Sequence, residues 1–486
     1  MSKQNLPSRR TSNIPALEAE KAAEFPGQEG GNYKEEHANR DARRIGRTLS
    51  IFGCPVAELK LDPNNPRQHS RTQIRQIARS IEAFGFNVPM LIDVQRQLIA
   101  GHGRVLAARL LGMTHVPAIE LEHLTEAQIR AFMIADNRLT ETSVWDERLL
   151  AEQLSELAVL ELDFSIDVIG FEMSEIDIMI ENLAPAVGGD NDPADAIPDS
   201  RAKSEVTRAG DVWILDRHRI CCGDARNEVS YSALMKGRRA DMVFADPPYN
   251  DPIDGYVTGF GKVHHPEFAV ASGEMNESEF TGFLTAVLAQ LARHSVDGAL
   301  QFICMDWRHS AELISAAREV RAEFKNLCVW VKDNAGQGSL YRSQHELVFV
   351  FKNGKAPHRN NIQLGQYGRY RTNVWQYRRV NSLSRGTDEG NLSNLHPTVK
   401  PVELVADAIL DCTARGDIVL DAFLGSGTTV IAAERVGRIC YGLELDPRYV
   451  DTIVRRWQAF TGQIAVQEST GRNFNDIEEE SNGKRQ

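Results

Sequence analysis

A strand, a glycine turn and a helix follow one another directly in Gly416-Asp-Ile-Val-Leu-Asp421-Ala-Phe-Leu-Gly425-Ser-Gly427-Thr-Thr-Val-Ile-Ala-Ala-Glu434. The apolar run is too short for a helix and reads as a buried strand, and Thr428 and Thr429 fall in the first helical turn. A second strand, Arg438-Ile-Cys-Tyr-Gly-Leu-Glu444, ends in an acid. That acid lies about twenty residues past the first glycine, the spacing at which a Rossmann-type site binds ribose hydroxyls. Glycines there let a ligand approach the backbone closely. The third glycine of a G-x-G-x-x-G set is absent, and so is the lysine of a phosphate loop. A nucleoside without phosphates suits this turn better than a dinucleotide or ATP.

A second loop carries the chemistry. Asp246-Pro247-Pro248-Tyr249 follows the apolar run Ala240-Asp-Met-Val-Phe-Ala245, so it sits where a buried strand ends. The exocyclic amine of a nucleobase is a poor nucleophile because its lone pair is conjugated into the ring. A carboxylate (Asp246) and a backbone carbonyl (Pro247), both accepting its hydrogens, draw the nitrogen toward tetrahedral geometry. Successive prolines have fixed φ and no N–H, so they hold those carbonyls stiffly outward. Tyr249 offers a flat face for a base lifted out of a duplex.

Residues 205 to about 465 resemble an S-adenosylmethionine-dependent DNA amino-methyltransferase of the beta group, in which the catalytic loop precedes the cofactor glycines. Four motifs carry the likeness: Cys222-Gly-Asp-Ala225, Asp246-Pro-Pro-Tyr249, His396-Pro-Thr-Val-Lys-Pro401 and Asp421-Ala-Phe-Leu-Gly-Ser-Gly427. The resemblance implies S-adenosylmethionine as cofactor and Asp246, Pro247, Pro248 and Tyr249 as catalytic residues. It implies Phe423, Gly425, Gly427 and Thr428 at the methionine end of the cofactor, Glu444 on its ribose and Asp224 at its adenine, with Asp421 also among the cofactor-binding residues. His396, Thr398 and Lys400 are expected to close over it. Aspartate rather than serine before the prolines favours adenine N6 over cytosine N4.

The 486 residues should form at least two domains. The chain contains no apolar run of membrane length and no apolar leader, which suggests a cytoplasmic protein. Seven scattered cysteines lack zinc spacing and read as thiols in a reducing compartment; no metal is expected. A net charge of −12 means that any nucleic-acid surface must be local.

Residues 1–48 read as a disordered polar tail. Residues 49–122 form a compact unit with a helix over Gln73–Phe84 and a strand pair at Pro89–Asp93 and Gln97–Ala100. Gly101-His-Gly103-Arg104 then opens a helix, a ready anion site because free N–H groups and the helix dipole both favour negative charge. This unit resembles the ParB/sulfiredoxin-like domains. It lacks the glutamate and paired arginines of partition proteins and the loop cysteine of sulfiredoxin, so a helper module that binds DNA or protein is the expectation. Residues 123–183 read as a helical subdomain leaning on that unit by simple packing rather than as a helix-turn-helix. Residues 184–204 read as a flexible linker.

The region 205–465 alternates strands and helices, as a parallel sheet covered on both faces would. The fold class expected is therefore α/β, a Rossmann-like methyltransferase sheet preceded by a small α+β ParB-like domain and a helical segment. Between Lys352 and Arg385 stand eight Lys or Arg and no acid, interleaved with aromatics. This segment, 352–385, reads as a DNA-recognition insert with Arg369, Arg371, Trp375, Tyr377, Arg378 and Arg379 as contacts. Asn250–Gly273 reads as a flap over the target base, and 466–486 as a disordered tail. The partners expected are double-stranded DNA, a second copy in a homodimer, and a nucleotide or anion at Gly101–Arg104, but no membrane. The rival readings are a cytosine-N4 enzyme, a non-catalytic ParB-like DNA-binding regulator and a dinucleotide-dependent oxidoreductase.

Overall fold

The computed structural model describes residues 49–160, 162–181, 193–198, 205–250, 273–333, 335, 340–365, 369–377 and 399–483. The chain divides into two compact units, residues 1–74 with 86–139, and residues 75–85 with 140–486. The expected N-terminal tail lies outside the described residues.

The first unit is built on a four-stranded sheet of β1 (Ile51–Pro55), β2 (Met90–Ile92), β3 (Leu98–Ala100) and β4 (His115–Glu120), in the order β1-β4-β2-β3. Only β2 and β4 run parallel. Helix α1 (Arg71–Phe84) precedes β2 in the chain but belongs from Arg75 onward to the second unit, and α2 (His102–Leu110) follows β3. Val105 and Ala108 of α2 pack with Cys54, Met90, Ile92 and Ala118 in one core. Helix α3 (Glu126–Glu141) sends Met133 and Ile129 against Ile99 and Leu121. At Gly101, which caps α2 with φ of 101°, a Cβ would lie 2.5 Å from the Met90 sulfur. The turn therefore needs glycine for both space and conformation.

The second unit takes in residues 75–85 and then α4 (Glu147–Val159) and α5 (Met173–Glu181). It continues into a ten-stranded sheet: β5 (Val212–Leu215), β6 (His218–Cys222), β7 (Ala240–Ala245), β8 (Ser295–Met305), β9 (Glu323–Val331), β10 (His345–Lys352), β11 (Val374–Gln376), β12 (Ile418–Asp421), β13 (Ile439–Glu444) and β14 (Val466–Gln467). Their order is β11-β9-β10-β8-β7-β12-β13-β6-β5-β14. The centre, β8-β7-β12-β13-β6, is parallel. Toward the edges β10, β9, β5 and β14 join antiparallel, so the sheet is mixed where a parallel one was expected. One face is covered by α6 (Glu228–Met235), α7 (Glu277–Arg293) and α8 (Ser310–Glu319). The other carries α9 (Val402–Cys412), α10 (Thr428–Arg435) and α11 (Pro447–Thr461).

The helical segment packs on α1, where Arg79 pairs with Asp167 at 2.8 Å and Phe84 meets Phe164 edge to face, and also on the sheet. Asp177 of α5 is buried in a bidentate pair with Arg438 (2.9 and 2.8 Å), and Leu154, Met173 and Ile176 enclose Ala414. Two expectations need correction. The stretch read as a linker contains residues 193–198, where Ala194 and Ile197 are buried and Asp195 accepts from the Val402 N–H. The tail read as disordered forms β14, paired with β5, and α12 (Phe474–Gly483), whose Phe474 is fully buried against Trp213. Apolar residues spaced among many acids hid that last element from a window count.

Candidate active site

β7 is the point at which the sheet reverses direction: β8 follows it on one side, and β12 arrives on the other after a long excursion. A crevice opens at the carboxyl ends of strands around such a reversal. The register that sets Leu420 beside Val243 carries the Asp246 loop and the glycine turn to the same end of neighbouring strands. The two loops, with Asp246 and Gly425 179 positions apart in the chain, are therefore brought together by parallel pairing.

Asp246 stands in a dense set of charges. Its Oδ1 accepts from the Tyr249 hydroxyl at 2.6 Å, and its Oδ2 accepts from the Lys400 ammonium. Lys400 Nζ also lies 3.0 Å from Glu346 Oε2, and the other Glu346 oxygen accepts from Lys332. The side chains of Lys400, Lys332 and Glu346 are only 6, 11 and 12% exposed. Burial alone would favour a protonated Glu346, but the two ammonium groups outweigh it and hold its carboxyl at about 2. Burial disfavours the Lys400 charge too, and here Asp246 and Glu346 reverse the balance and raise its affinity for the proton. The Tyr249 hydroxyl is driven up by burial and the adjacent carboxylate, so it remains a donor. Asn250 follows with φ of 56° and bonds Met275 and Gly273, joining the two ends of segment 251–272. The flap expected there lies outside the described residues.

The glycine turn is held from three sides. The Asp421 carboxylate accepts from the Phe423 N–H (2.8 Å) and the Thr429 hydroxyl (2.6 Å). Glu444 accepts from the N–H groups of Gly425 (2.8 Å) and Asp446 (2.9 Å). Arg456, buried beneath, donates to the Ser426 carbonyl and the Ala194 carbonyl. Gly427 has φ of 85°, and a Cβ there would lie 2.8 Å from Ile453. Burial raises both the Asp421 and the Glu444 carboxyls to about 7, against the bonds they accept. The Thr428 hydroxyl donates to the Lys400 carbonyl, which ties the turn to the segment entering α9.

On the α6–α7 side a cleft of about 560 Å³ is lined by Arg226, Glu274, Met275, Glu279 and Phe283. Phe283 lies 6.3 Å from Phe423, and Arg226 stacks over Phe283 while gripping Asp224. Those bonds hold the Asp224 carboxyl below its usual range. Pro247 is buried and Pro248 half-buried at the loop. His396 and Thr398 lie outside the described residues, as do Arg378 and Arg379. Lys400, expected over the cofactor, contacts the Asp246 carboxylate.

The basic-aromatic insert is corrected. Arg369 is 8% exposed and pairs with Asp411 (2.9 Å) and Asp407 (3.2 Å) of α9. Arg371 bonds Asp407 (2.8 Å), Asp411 and the Tyr377 hydroxyl. Trp375 and Tyr377 are 4 and 8% exposed, Trp375 stacked on Phe302. These four side chains lock β11 against α9 and are not available to phosphates or bases. Sequence reasoning also passed over Glu346, Lys332 and Arg456. A lone carboxylate opening the apolar run Leu347–Phe351 was the available signal for the first.

A family model described as DNA methylase matches residues 240–455. A ParB N-terminal domain matches 43–137, and a ParB-methyltransferase HTH domain matches 148–209. The pair α4–α5, expected to be simple packing, thus falls in a segment described as helix-turn-helix. Over 84 residues the chain is 46% identical to the ParB-like nuclease domain-containing protein YnaK of Escherichia coli K12, covering 17% of this chain and 97% of that protein. It is 25% identical over 242 residues to the type II methyltransferase M2.MboI of Moraxella bovis, covering 48% of this chain and 86% of the relative. With M2.DpnII of Streptococcus pneumoniae the identity is 27% over 245 residues, 47% of this chain and 86% of that one.

Proposed function

We propose that this chain, which belongs to the S-adenosylmethionine-dependent N6/N4 DNA methyltransferases and carries a ParB-like domain fused at its N-terminal side, is catalytically active and methylates adenine N6 in duplex DNA. The observation that carries this reading is the meeting of Asp246 with the glycine turn at the sheet reversal. The residues fit the cofactor. Glu444 presents a half-buried carboxylate that accepts from the Gly425 N–H of the turn, and Phe283, which lines the cleft, lies 6.3 Å from Phe423. When bound, S-adenosylmethionine supplies an electrophilic methyl group on a sulfonium. Glu444 would accept from its ribose hydroxyls, the glycine turn would flank its methionine end, and Asp224 would reach its adenine.

The protein's own work is placement. Asp246 and the Pro247 carbonyl accept the two amine hydrogens, which localises the lone pair on nitrogen. The stiff proline pair fixes the line of approach, and Tyr249 flanks the base. Positioning of this kind supplies a large share of the barrier reduction in a direct displacement. The aspartate before the prolines supports adenine over cytosine, through the resemblance set out above.

Incubation of duplex DNA with methyl-labelled cofactor, followed by nucleoside analysis, tests the reading. The wild-type protein should yield N6-methyladenine. Asp246→Ala should lose transfer by at least about a hundredfold, since it removes an acceptor that positions the reacting nitrogen, and keep cofactor binding. Label on cytosine would replace the adenine assignment, and an inactive wild-type protein that binds DNA would favour the regulatory reading.

A further inference from the structure

The Asp246 carboxylate carries an electrostatic problem. Positive charge develops on the amine nitrogen during transfer, and a carboxylate neutralised by a touching ammonium would stabilise that charge poorly. Lys400 is such an ammonium, seated on Asp246 Oδ2 in a setting only 6% exposed. Water cannot screen it there, so its charge must be balanced by protein groups. Glu346 is the group that balances it. It reaches Lys400 at 3.0 Å from β10 and is steadied in turn by Lys332 from the end of β9.

We propose that Glu346 is a positioning residue for catalysis: it shares the Lys400 ammonium with Asp246, so that Lys400 orients the catalytic carboxylate without cancelling its charge. The inference rests on the methyltransferase reading and extends it to a residue outside the loop motif. The buried sequence Asp246–Lys400–Glu346–Lys332 alternates in sign, and each interior member touches two opposite charges. A carboxylate has room for more than two donors, so Asp246 can hold Lys400 and Tyr249 and still accept from a base. The depressed affinity of Glu346 for protons keeps it charged throughout the neutral range. Cys304, buried beside Lys400 and Asp246, stays a neutral thiol because burial raises it.

Glu346→Gln keeps the shape and removes the charge, leaving Lys400 to Asp246 alone. Lys400→Met removes the cation and leaves two facing carboxylates. Each should lower kcat roughly ten- to a hundredfold, with cofactor affinity and the KM for DNA within about threefold of wild type by the same argument from positioning. The double variant Glu346→Gln/Lys400→Met should be no slower than the slower single variant, because the two residues act as one unit. A kcat for Glu346→Gln equal to wild type would overturn the proposal, as would single effects that multiply in the double variant. The melting temperatures of the same proteins, expected to be non-additive in the same sense, report the pairing without reference to activity. If Glu346→Gln alone fails to fold, a double variant that folds and binds cofactor supports the pairing, and one that does neither defeats it. An inactive wild-type protein with non-additive melting temperatures would instead defeat the methyltransferase reading.

Discussion

Glu444 and Asp421 are the residues at which ligand binding and proton binding meet. In an unfolded chain such carboxyls ionise near pH ~4, whereas burial keeps them protonated to about 7 in the folded protein. Between those limits the folded state holds more protons than the unfolded one, so stability falls as pH rises and levels off above 7. Glu444→Gln removes one of the two groups. The melting temperature of the cofactor-free variant should therefore fall less than that of wild type between pH 5 and 7, values that lie inside the window of roughly 4 to 7 set by these shifts. Identical slopes would show that Glu444 is not held protonated. A ribose hydroxyl is accepted best by the ionised acid, so cofactor affinity should climb over the same range. The sequence made Glu444 legible because its role follows from a fixed distance past a glycine. Lys400 was legible as part of a motif, but its partner was not, because only the β10 register brings Glu346 to it.

Among the elements, α5 and α9 show how charge patterns mislead when read in a window. Arg369 and Arg371 have no acid near them in sequence, and their acids, Asp407 and Asp411, arrive on a helix about forty residues later. Arg369 and Arg371 are thus half of a neutral interface, and Trp375 and Tyr377 fill the core, whereas Tyr370, between the two arginines, is 80% exposed. In the same way Asp177 has no basic partner near it in sequence. It is 1% exposed and faces Arg438, whose side chain has no exposure at all, with Arg415 at 3.2 Å. Removing one partner of such a pair strands a buried charge, and Asp177→Ala should cost about 3–5 kcal/mol in the stability of the second unit. Denaturant unfolding of the full chain measures this, and a loss under about 1 kcal/mol would mean that α5 is dispensable to the sheet. The same physics argues that a fragment beginning at residue 186 is less stable than one that retains α4 and α5. The strands and the α/β alternation were readable because apolar period is local. The edge strands β11 and β14 were not, being two or three residues long and defined only by their neighbours.

At the scale of the whole molecule, a chain of net charge −12 carries a DNA methyltransferase domain and a ParB-like domain in one polypeptide. Among the described residues no helix is long and apolar enough to cross a membrane. Of the basic residues expected to grip phosphates, Arg369 and Arg371 are instead paired with Asp407 and Asp411. Arg378, Arg379 and the rest of 378–398 lie outside the described residues. In the first unit Gly101 caps α2 as expected, and Arg104 donates to the Val88 carbonyl. The nucleotide or anion proposed for that turn rests on its glycines and on the arginine beside them. If Asp246 directs a methyl group to adenine N6 in DNA, base-resolved sequencing of modified bases, in DNA from cells expressing the wild-type chain or its Asp246→Ala variant, should find N6-methyladenine at one short recurring sequence with the wild-type chain and none with the variant. Unmodified adenine in both, or methylation that persists in the variant, would contradict this role of Asp246.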